Sequence, residues 1–287
     1  MICVYPDFYR AFACKASFCR HSCCLGWEID VDEESVAYYR ALPGKLGNDL
    51  RAALVEEAGI WHFRLTDDER CPFLRSDGLC RLIRELGEHA LCDICALHPR
   101  FYGELGNFEF CGLGLSCEKV CELLLESSTL LRFRLDDEAE LLDFRGLLRR
   151  MGLEPGEDLL RFTPNPSELR YAEILRRLSE TEPIDEVWPE HLRQLLAALS
   201  DLVENAAEYA AVCDRGRYDR IYQYILFRQL ERAGEFDFPA LAVYARLSTE
   251  FVFMQDALLG VDAEHLRRWS EQIEYSTENV DRLLRRD

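Results

Sequence analysis

The sequence predicts a mostly helical α+β protein, in which a cysteine-rich lobe with short β-hairpins packs on a helical C-terminal half. Two observations support this prediction. Twelve of the thirteen cysteines precede residue 122. From about residue 135 onward, apolar side chains recur at helical spacing among good helix formers. We therefore place a cysteine-rich metal-binding lobe at residues 1–130 and a helical scaffold or substrate region at residues 131–287.

Short helices and strands are predicted in the first hundred residues. Alternation of apolar and polar side chains indicates strands, and Asp32 or Ser35 is a typical cap for the helix that carries Val36, Tyr39 and Leu42. The dipeptide Asp77-Gly78 favours a tight hairpin turn. In order, we predict a strand at 27–31, the capped helix, a helix at 49–57, a strand at 60–65, a hairpin of 70–74 with 79–83, and a helix at 89–97. Residues 82–87 also suit a helix in place of the end of that hairpin.

Helices dominate the remainder of the chain. A second hairpin at 101–110, around Gly106-Asn107, comes before them. Pro189 suits a first helical turn, and Gly234 and Gly260 suit helix ends. The predicted helices span 118–127, 136–151, 166–180, 189–212, 216–233, 238–258 and 262–286.

Composition limits the possible partners and compartment. The chain of 287 residues is 30% charged and has a formal net charge of −19. Such a chain should be soluble, repel nucleic acid and anionic membranes, and attract cationic protein surfaces. Neither a signal peptide nor an apolar stretch of the roughly 20 residues that span a bilayer is visible, so we expect a cytoplasmic protein. A reducing cytosol disfavours disulfides and leaves metal binding as the simplest use of the cysteines.

The thiols fall into four clusters with the spacing of metal ligands. Short gaps between cysteines let a turn or a helix start direct two sulfurs at one group. Four thiolates suit either a structural zinc ion or a [4Fe–4S] cluster, and the residues alone leave this choice open. The predicted ligands are Cys14, Cys19, Cys23 and Cys24 in the first cluster, Cys71 and Cys80 in the second, Cys92 and Cys95 in the third, and Cys117 in the fourth.

Residues near these clusters receive weaker assignments. We interpret His21 and His98 as hydrogen-bond partners of a metal centre rather than as ligands. Four cysteines fit no cluster, and we interpret them as small buried side chains: Cys3, Cys111, Cys121 and Cys213. The sequence contains no P-loop, no dinucleotide-binding glycine motif and no nucleophile elbow.

In this order, the clusters resemble the flagellin lysine-N-methylase family. The resemblance rests on Cys14-x4-Cys19-x3-Cys23-Cys24-x-Gly26-Trp27, then Cys71-Pro-Phe-Leu with Asp77-Gly-Leu-Cys80, then Cys92-x2-Cys95-x3-Pro99-Arg100, then Ser116-Cys117. Small zinc- or iron-chelating proteins with a Cys-x2-Cys-x2-Cys-Cys motif are more distantly similar.

The resemblance implies a protein-lysine N-methyltransferase. It implies S-adenosylmethionine as methyl donor, flagellin as protein substrate and an iron–sulfur cluster on some of these cysteines. The acidic net charge agrees with a lysine-bearing substrate. The alternative is a non-catalytic zinc- or iron–sulfur-binding protein with a structural or redox role. Neither the catalytic base nor the methyl-donor site can be assigned to particular residues.

Overall fold

The computed structural model describes residues 1–126, 129–136, 138 and 140–285. It confirms the predicted α+β, mostly helical class. The helices that it describes are α1 Glu33–Ala41, α2 Gly44–Ala53, α3 Arg81–Leu86, α4 Asp93–Leu97, α5 Glu118–Glu126, α6 Phe144–Arg150, α7 Glu168–Ser179, α8 Val187–Ala197, α9 Leu199–Val212, α10 Arg215–Arg228, α11 Phe238–Leu259, α12 Ala263–Ile273 and α13 Thr277–Leu284. The strands are β1 Ile2–Pro6, β2 Leu54–Glu57, β3 Ile60–Phe63, β4 Arg100–Leu105, β5 Phe108–Leu113, β6 Arg132–Leu135 and β7 Leu141–Asp143.

The chain divides into two compact units. The large unit comprises Met1–Phe12 and Phe101–Asp287, and the small unit comprises Ala13–Arg100. These boundaries differ from those of the regions 1–130 and 131–287, because β1 and the segment after residue 100 belong with the helical part. The metal-binding and scaffold roles assigned to those two regions stay predictions.

A five-stranded sheet in the order β4-β5-β1-β6-β7 belongs to the large unit. β1 lies parallel to β5, with Val4 opposite Phe110, and antiparallel to β6, with Val4 opposite Leu135. All three of these side chains are almost fully buried. One face of the sheet therefore faces the apolar core of the large unit.

The helical core of the large unit is built around α10 and α11. Helix α11 begins at the cap of Asp237, whose carboxylate accepts a hydrogen bond from the Ala240 N–H at 2.7 Å, and Pro239 suits its first turn. Most of its side chains are buried, and they lie all around the helix, as expected for a central helix. The aromatic side chains of α10 lie in the same core and pack within it.

The small unit has its own apolar core. It includes Ile29, Val36, Tyr39, Leu50 and Phe63, and several cysteines border it. Asp32 caps α1 by accepting a hydrogen bond from the Ser35 N–H at 2.8 Å, as the sequence predicted. Strands β2 and β3 form a separate two-stranded sheet.

Several predicted elements of the small unit were wrong. Residues 27–31 form no strand, and only an isolated bridge joins Asp30 to His62. The helix predicted at 49–57 covers only part of α2, because residues 54–57 pair with β3 as a strand. The segment 70–83 contains a single bridge between Leu74 and Cys80 rather than a hairpin, and the helical alternative for its end is realised as α3.

In the large unit, tertiary pairing replaced one predicted helix. The first residues of the span 136–151 follow β6, and Leu141–Asp143 form β7 before α6 begins. Positions 137 and 139 of that span lie outside the described residues. The pairing of β6 with β1 and β7 supplies backbone partners that outweigh local helix propensity.

Three long predicted helices are interrupted. The span 189–212 breaks at Ala198, the span 216–233 changes to a 3-10 turn at Leu230–Gly234, and the span 262–286 breaks between α12 and α13. The hairpin at 101–110 and the helices at 118–127, 166–180 and 238–258 agree with the structure apart from their ends, position 127 being outside its description.

Among the helices that the structure describes, none has both the length and the apolar character needed to cross a lipid bilayer.

Candidate metal centre

Backbone contacts in the small unit bring three of the predicted cysteine clusters together. The Cys71 N–H donates to the carbonyl of Cys24 at 2.9 Å, and a bridge joins Leu25 to Arg70 beside it. These contacts place the first and second clusters on adjacent backbone segments. Cys71 is buried and Cys24 is half-buried.

A tight turn returns the chain from Cys71 to Cys80. Within it the Arg75 N–H donates to the Leu79 carbonyl and the Gly78 N–H to the Arg75 carbonyl, both at 3.0 Å. Gly78 has a φ of +75°, which a side chain would disfavour. The turn leaves Cys80 at the start of α3, where the Arg81 N–H donates to the Phe73 carbonyl at 2.8 Å.

The third cluster lies on the short helix α4. Cys92 occupies its N-terminal cap position, and Cys95 lies one turn later. The Asp93 N–H donates to the Asp32 carboxylate at 2.9 Å, and the Tyr39 hydroxyl donates to the Ala90 carbonyl at 2.7 Å. Helix α4 is therefore fixed to the cap and buried face of α1.

The pKa values of the thiols show which of them interact. A hydrogen bond with the Cys95 thiol lowers the pKa of Cys92, and the same bond, together with burial, raises that of Cys95. A hydrogen bond with the Cys23 thiol lowers the pKa of Cys24 to about 7. Cys92 and Cys24 therefore ionise more readily than an ordinary cysteine.

Burial raises the pKa of the other two thiols. That of Cys71 rises to about 12, and the charges of Cys24 and Cys80 contribute to the rise. That of Cys80 is also raised by burial, with contributions from the charges of Cys24 and Cys92. Because each thiolate disfavours the next, a bound cationic centre would stabilise several of them at once.

We define the thiol cluster as Cys23, Cys24, Cys71, Cys80, Cys92 and Cys95. The other predicted ligands are placed differently. Cys14 is exposed and Cys19 is half-buried, on either side of a 3-10 turn at Ala16–Phe18, and neither belongs to the apolar core of the small unit. Cys23 is likewise exposed and outside that core, and it joins the thiol cluster through its hydrogen bond with Cys24. Cys117 lies in the large unit, immediately before α5.

The donor atoms of the thiol cluster are more widely spaced than the ligands of a single bound ion. Four sulfurs around one zinc lie about 3.8 Å apart, from the tetrahedral geometry and a Zn–S distance of about 2.3 Å. In the described part of the small unit, no three Cys, His or carboxylate donors lie within 4.8 Å of one another. A four-iron cluster places each thiolate on a separate iron, so its ligands need not converge on one point.

His98 lies next to the thiol cluster, as predicted. Its ring contacts that of Trp27 at 5.6 Å between centroids, and the Trp27 indole N–H donates to the Cys23 carbonyl at 2.6 Å. Burial lowers the pKa of His98, and within the described residues its Nε2 has no hydrogen-bond partner. A neutral imidazole whose Nε2 has no hydrogen-bond partner can form a hydrogen bond with a further polar group bound at this site. His21 is exposed.

An acidic cavity of about 430 Å³ lies in the same unit, beside α4. Its lining combines carboxylates with apolar side chains: Asp30, Asp32, Glu33 and Asp93 with Val31, Ile60, Trp61 and Ile94. Burial tends to raise the pKa of Asp32, but hydrogen bonds from the Asp93 and Ser35 N–H groups outweigh it and lower that pKa. Asp32 was predicted only as a helix cap, and the cavity was not predicted, because its walls come from three separate segments.

The large unit contains two features that the sequence analysis missed. The buried Asp256 carboxylate accepts a hydrogen bond from the Tyr218 hydroxyl at 2.7 Å and lies 2.7 Å from His265 Nδ1. Cys111 is buried as predicted and Cys3 is half-buried, and their Sγ atoms are 2.7 Å apart, a contact that the sequence did not predict. Cys121 is fully buried, as predicted.

The fold and the thiol cluster thus define a cysteine-rich α+β protein with a candidate thiolate metal centre. Two proteins named Lysine-N-methylase, from Salmonella typhimurium (strain LT2) and Salmonella choleraesuis (strain SC-B67), are each 32% identical to it over 126 residues. That region is 42% of this chain and 31% of each relative, so the alignment spans about a third of their length.

A shorter relative is covered more fully. The flagellar biosynthetic protein FliU of Salmonella muenchen is 31% identical over 126 residues, which is 42% of this chain and 75% of that protein. Neither a protein-family model nor a solved structure matches the chain. The chain belongs to the family of FliU and the lysine-N-methylases, which confirms the resemblance stated from its motifs.

Proposed function

We propose that this protein transfers methyl groups from S-adenosylmethionine to lysine ε-amines of flagellin in the cytoplasm, and that its thiol cluster holds a [4Fe–4S] cluster. The observation that carries the proposal is the similarity to two proteins named Lysine-N-methylase, together with one named as a flagellar biosynthetic protein. The thiol cluster and the acidic cavity support it and assign roles to particular residues.

The ligand roles follow from burial and mutual contact. Cys24, Cys71, Cys92 and Cys95 would hold the iron–sulfur cluster, with Cys23 and Cys80 next to them. Cys14, Cys19 and Cys117 stay predicted ligands. When bound, the cluster would supply redox-active iron and a cross-link between three backbone segments. The small unit would then gain stability from metal binding, because its loops are held by few elements of regular structure.

The acidic cavity would bind the substrate lysine. Carboxylates of Asp30 and Glu33 would attract the ammonium group, while Val31, Ile60 and Trp61 would contact its aliphatic stem. Attraction favours the protonated amine, whose pKa is ordinarily about 10.4. The nucleophile must be neutral, so a base has to take this proton before methyl transfer. The lowered pKa of Asp32 makes it an anchor for charge rather than that base.

A methyl-transfer assay tests the proposal directly. Anaerobically purified full chain, flagellin and radiolabelled S-adenosylmethionine should give labelled flagellin that yields methyl-lysine on hydrolysis. Flagellin with acetylated lysines is the matched negative control. Absence of label from a preparation that contains its full complement of metal would contradict the enzymatic proposal.

The contribution of the cavity is tested by a double substitution. Asp30→Asn with Glu33→Gln should raise KM for flagellin by roughly tenfold and leave kcat nearly unchanged, because it weakens capture of the cation rather than the chemical step. Glu208→Gln, an exposed carboxylate of α9, is the control. An unchanged KM for the double variant would show that the substrate binds elsewhere.

A non-catalytic role is the second candidate, and one observation favours it. The aligned region covers only 31% of the Lysine-N-methylases, so parts of those proteins have no counterpart in the alignment. In this case the protein would bind zinc or an iron–sulfur cluster for a structural or redox purpose. A metal-loaded protein that fails to methylate, but whose unfolding midpoint falls on chelation, would support this alternative.

A further inference from the structure

We propose that Cys3, Glu109 and Cys111 form a second metal site, which takes a thiophilic divalent cation of the zinc class. The site lies in the large unit and is independent of the proposed methyl transfer, which uses the thiol cluster of the small unit. Neither the motif spacing nor the family relationship assigns a role to these three residues.

The parallel pairing of β1 with β5 brings the three side chains together. Cys3 lies opposite Glu109 in the register of these strands, and Cys111 follows Glu109 by two residues on the same side of β5. Their neighbours Val4 and Phe110 point to the opposite side, into the apolar core of the large unit. The three polar side chains therefore share the face of the sheet that is turned away from this core.

The donor atoms already lie close together. The Sγ atoms of Cys3 and Cys111 are 2.7 Å apart, and these two sulfurs and a Glu109 carboxylate oxygen all lie within 4.8 Å of one another. Throughout the described residues, this is the one group of three such donors that meets this distance. Two thiolates and a carboxylate form a ligand set that zinc accepts, and the sulfurs would separate by about an ångström to reach tetrahedral spacing.

Asp136 fixes the backbone of Cys3. Its carboxylate accepts a hydrogen bond from the Cys3 N–H at 2.7 Å, and its own N–H donates to the Cys3 carbonyl at 2.7 Å. The Tyr5 hydroxyl donates to the Asp136 carbonyl at 2.8 Å. A cysteine near the start of the chain is thus held from both sides, which lowers the entropic cost of assembling a metal site there.

The partial exposure of the site leaves room for one exchangeable ligand. Cys111 is buried, whereas Cys3 and Glu109 are half-buried. With three protein ligands and one accessible position, the site resembles an open zinc site more than a closed four-ligand one. A bound cation would also offset the negative charge of two thiolates and two nearby carboxylates.

Cobalt(II) is the probe, because thiolate-bound cobalt has sulfur-to-metal absorption that reports its ligands. Reduced full chain is titrated with Co²⁺ without oxygen, alongside Cys3→Ser, Cys111→Ser and Glu109→Gln. Each cysteine variant should lose one equivalent of bound cobalt, and Glu109→Gln should weaken binding of that equivalent by about tenfold or more while keeping both sulfur ligands. Glu104→Gln in β4 and Cys213→Ser are the matched controls.

Two results would overturn the proposal. The first is an unchanged cobalt stoichiometry and affinity in all three variants. The second is a Cys3–Cys111 disulfide in protein isolated under reducing conditions, seen as a mass lower by two hydrogens and as no cobalt equivalent assigned to the pair. Glu109→Gln leaves both cysteines intact, so this variant still tests the proposal if a cysteine variant fails to fold.

Discussion

Cys95 lies on α4, and its thiol is hydrogen-bonded to that of Cys92. The charges of Cys24 and Cys71 help to raise its pKa. Its replacement should therefore disturb the whole thiol cluster. We predict that Cys95→Ser, and likewise Cys23→Ser, lowers the metal content of the anaerobically purified chain by more than half and destabilises the small unit. Metal analysis and thermal unfolding measure both effects.

The control for this prediction is Cys213→Ser. Cys213 lies in the large unit, half-buried at the end of α9. Its replacement should leave the metal content unchanged. Full metal retention by Cys95→Ser would exclude Cys95 as a ligand.

Glu250 makes the stability of the large unit depend on pH. Its side chain is fully buried within α11, accepts a hydrogen bond from the Asn165 N–H at 2.9 Å, and has a pKa raised by burial to about 7. A raised carboxyl pKa means that the folded state binds the proton more tightly than the unfolded state. The ionised group therefore costs stability, and this cost appears as pH rises from about 4.5 to above 7.

Glu250→Gln should remove that cost. The variant should match the parent near pH 4.5 and exceed its unfolding free energy by about 3 kcal/mol above pH 8, from about 1.36 kcal/mol per pKa unit. Urea unfolding at several pH values measures the difference. Glu208→Gln should show no such pH dependence, and an equal gain for Glu250→Gln at pH 4.5 would refute the ionisation argument.

The turn between Cys71 and Cys80 connects local backbone geometry to the metal centre. Gly78 adopts a left-handed conformation, and an added Cβ would also meet Ser17 at 3.4 Å. We predict that Gly78→Ala destabilises the small unit by about 1–2 kcal/mol and lowers metal occupancy. Thermal unfolding and metal analysis provide the measurements.

Gly234→Ala is the matched control, since the φ of Gly234 is not positive and the space around it is open. It should alter neither quantity. If Gly78→Ala behaved in the same way, the geometry of this turn would be irrelevant to the centre.

Elements with strong local signals were predictable from the sequence. Asp32 caps a helix as predicted, Ser167 and Asp237 cap the helices predicted at 166–180 and 238–258, and Gly106-Asn107 forms the turn between β4 and β5. Strands β1, β2, β6 and β7 were missed, because their formation depends on pairing with partner strands. Backbone hydrogen bonds between distant segments leave no periodic pattern in a short stretch of sequence.

For the molecule as a whole, the sequence located the cysteine-rich region but not the division of the chain. The two units separate at residues 12/13 and 100/101, because β1 inserts between β5 and β6 in the sheet of the large unit. Such an insertion depends on a long-range contact. The same contact brings Cys3 to Cys111, which explains why the sequence analysis treated these two thiols as unrelated.

The thiol cluster shows the same limit. Its six members are all among the nine predicted ligands. The short spacings Cys23-Cys24 and Cys92-x2-Cys95 identify four of them locally, and the Asp77-Gly78 turn connects Cys71 to Cys80. The exclusion of Cys14 and Cys19 from the buried core depends on how the segment around Ala16–Phe18 folds. Spacing alone cannot distinguish an exposed cysteine from a buried one.

Iron and acid-labile sulfide content, measured with a visible absorption spectrum on the full chain purified without oxygen, distinguishes a [4Fe–4S] cluster from a zinc site. We expect about four irons and four sulfides per chain with broad visible absorption, as a [4Fe–4S] cluster requires. Any additional zinc should depend on Cys3 and Cys111. Zinc without sulfide, retained when Cys3 and Cys111 are replaced, would show that the thiol cluster is a zinc site and would rule out the proposed iron–sulfur cluster.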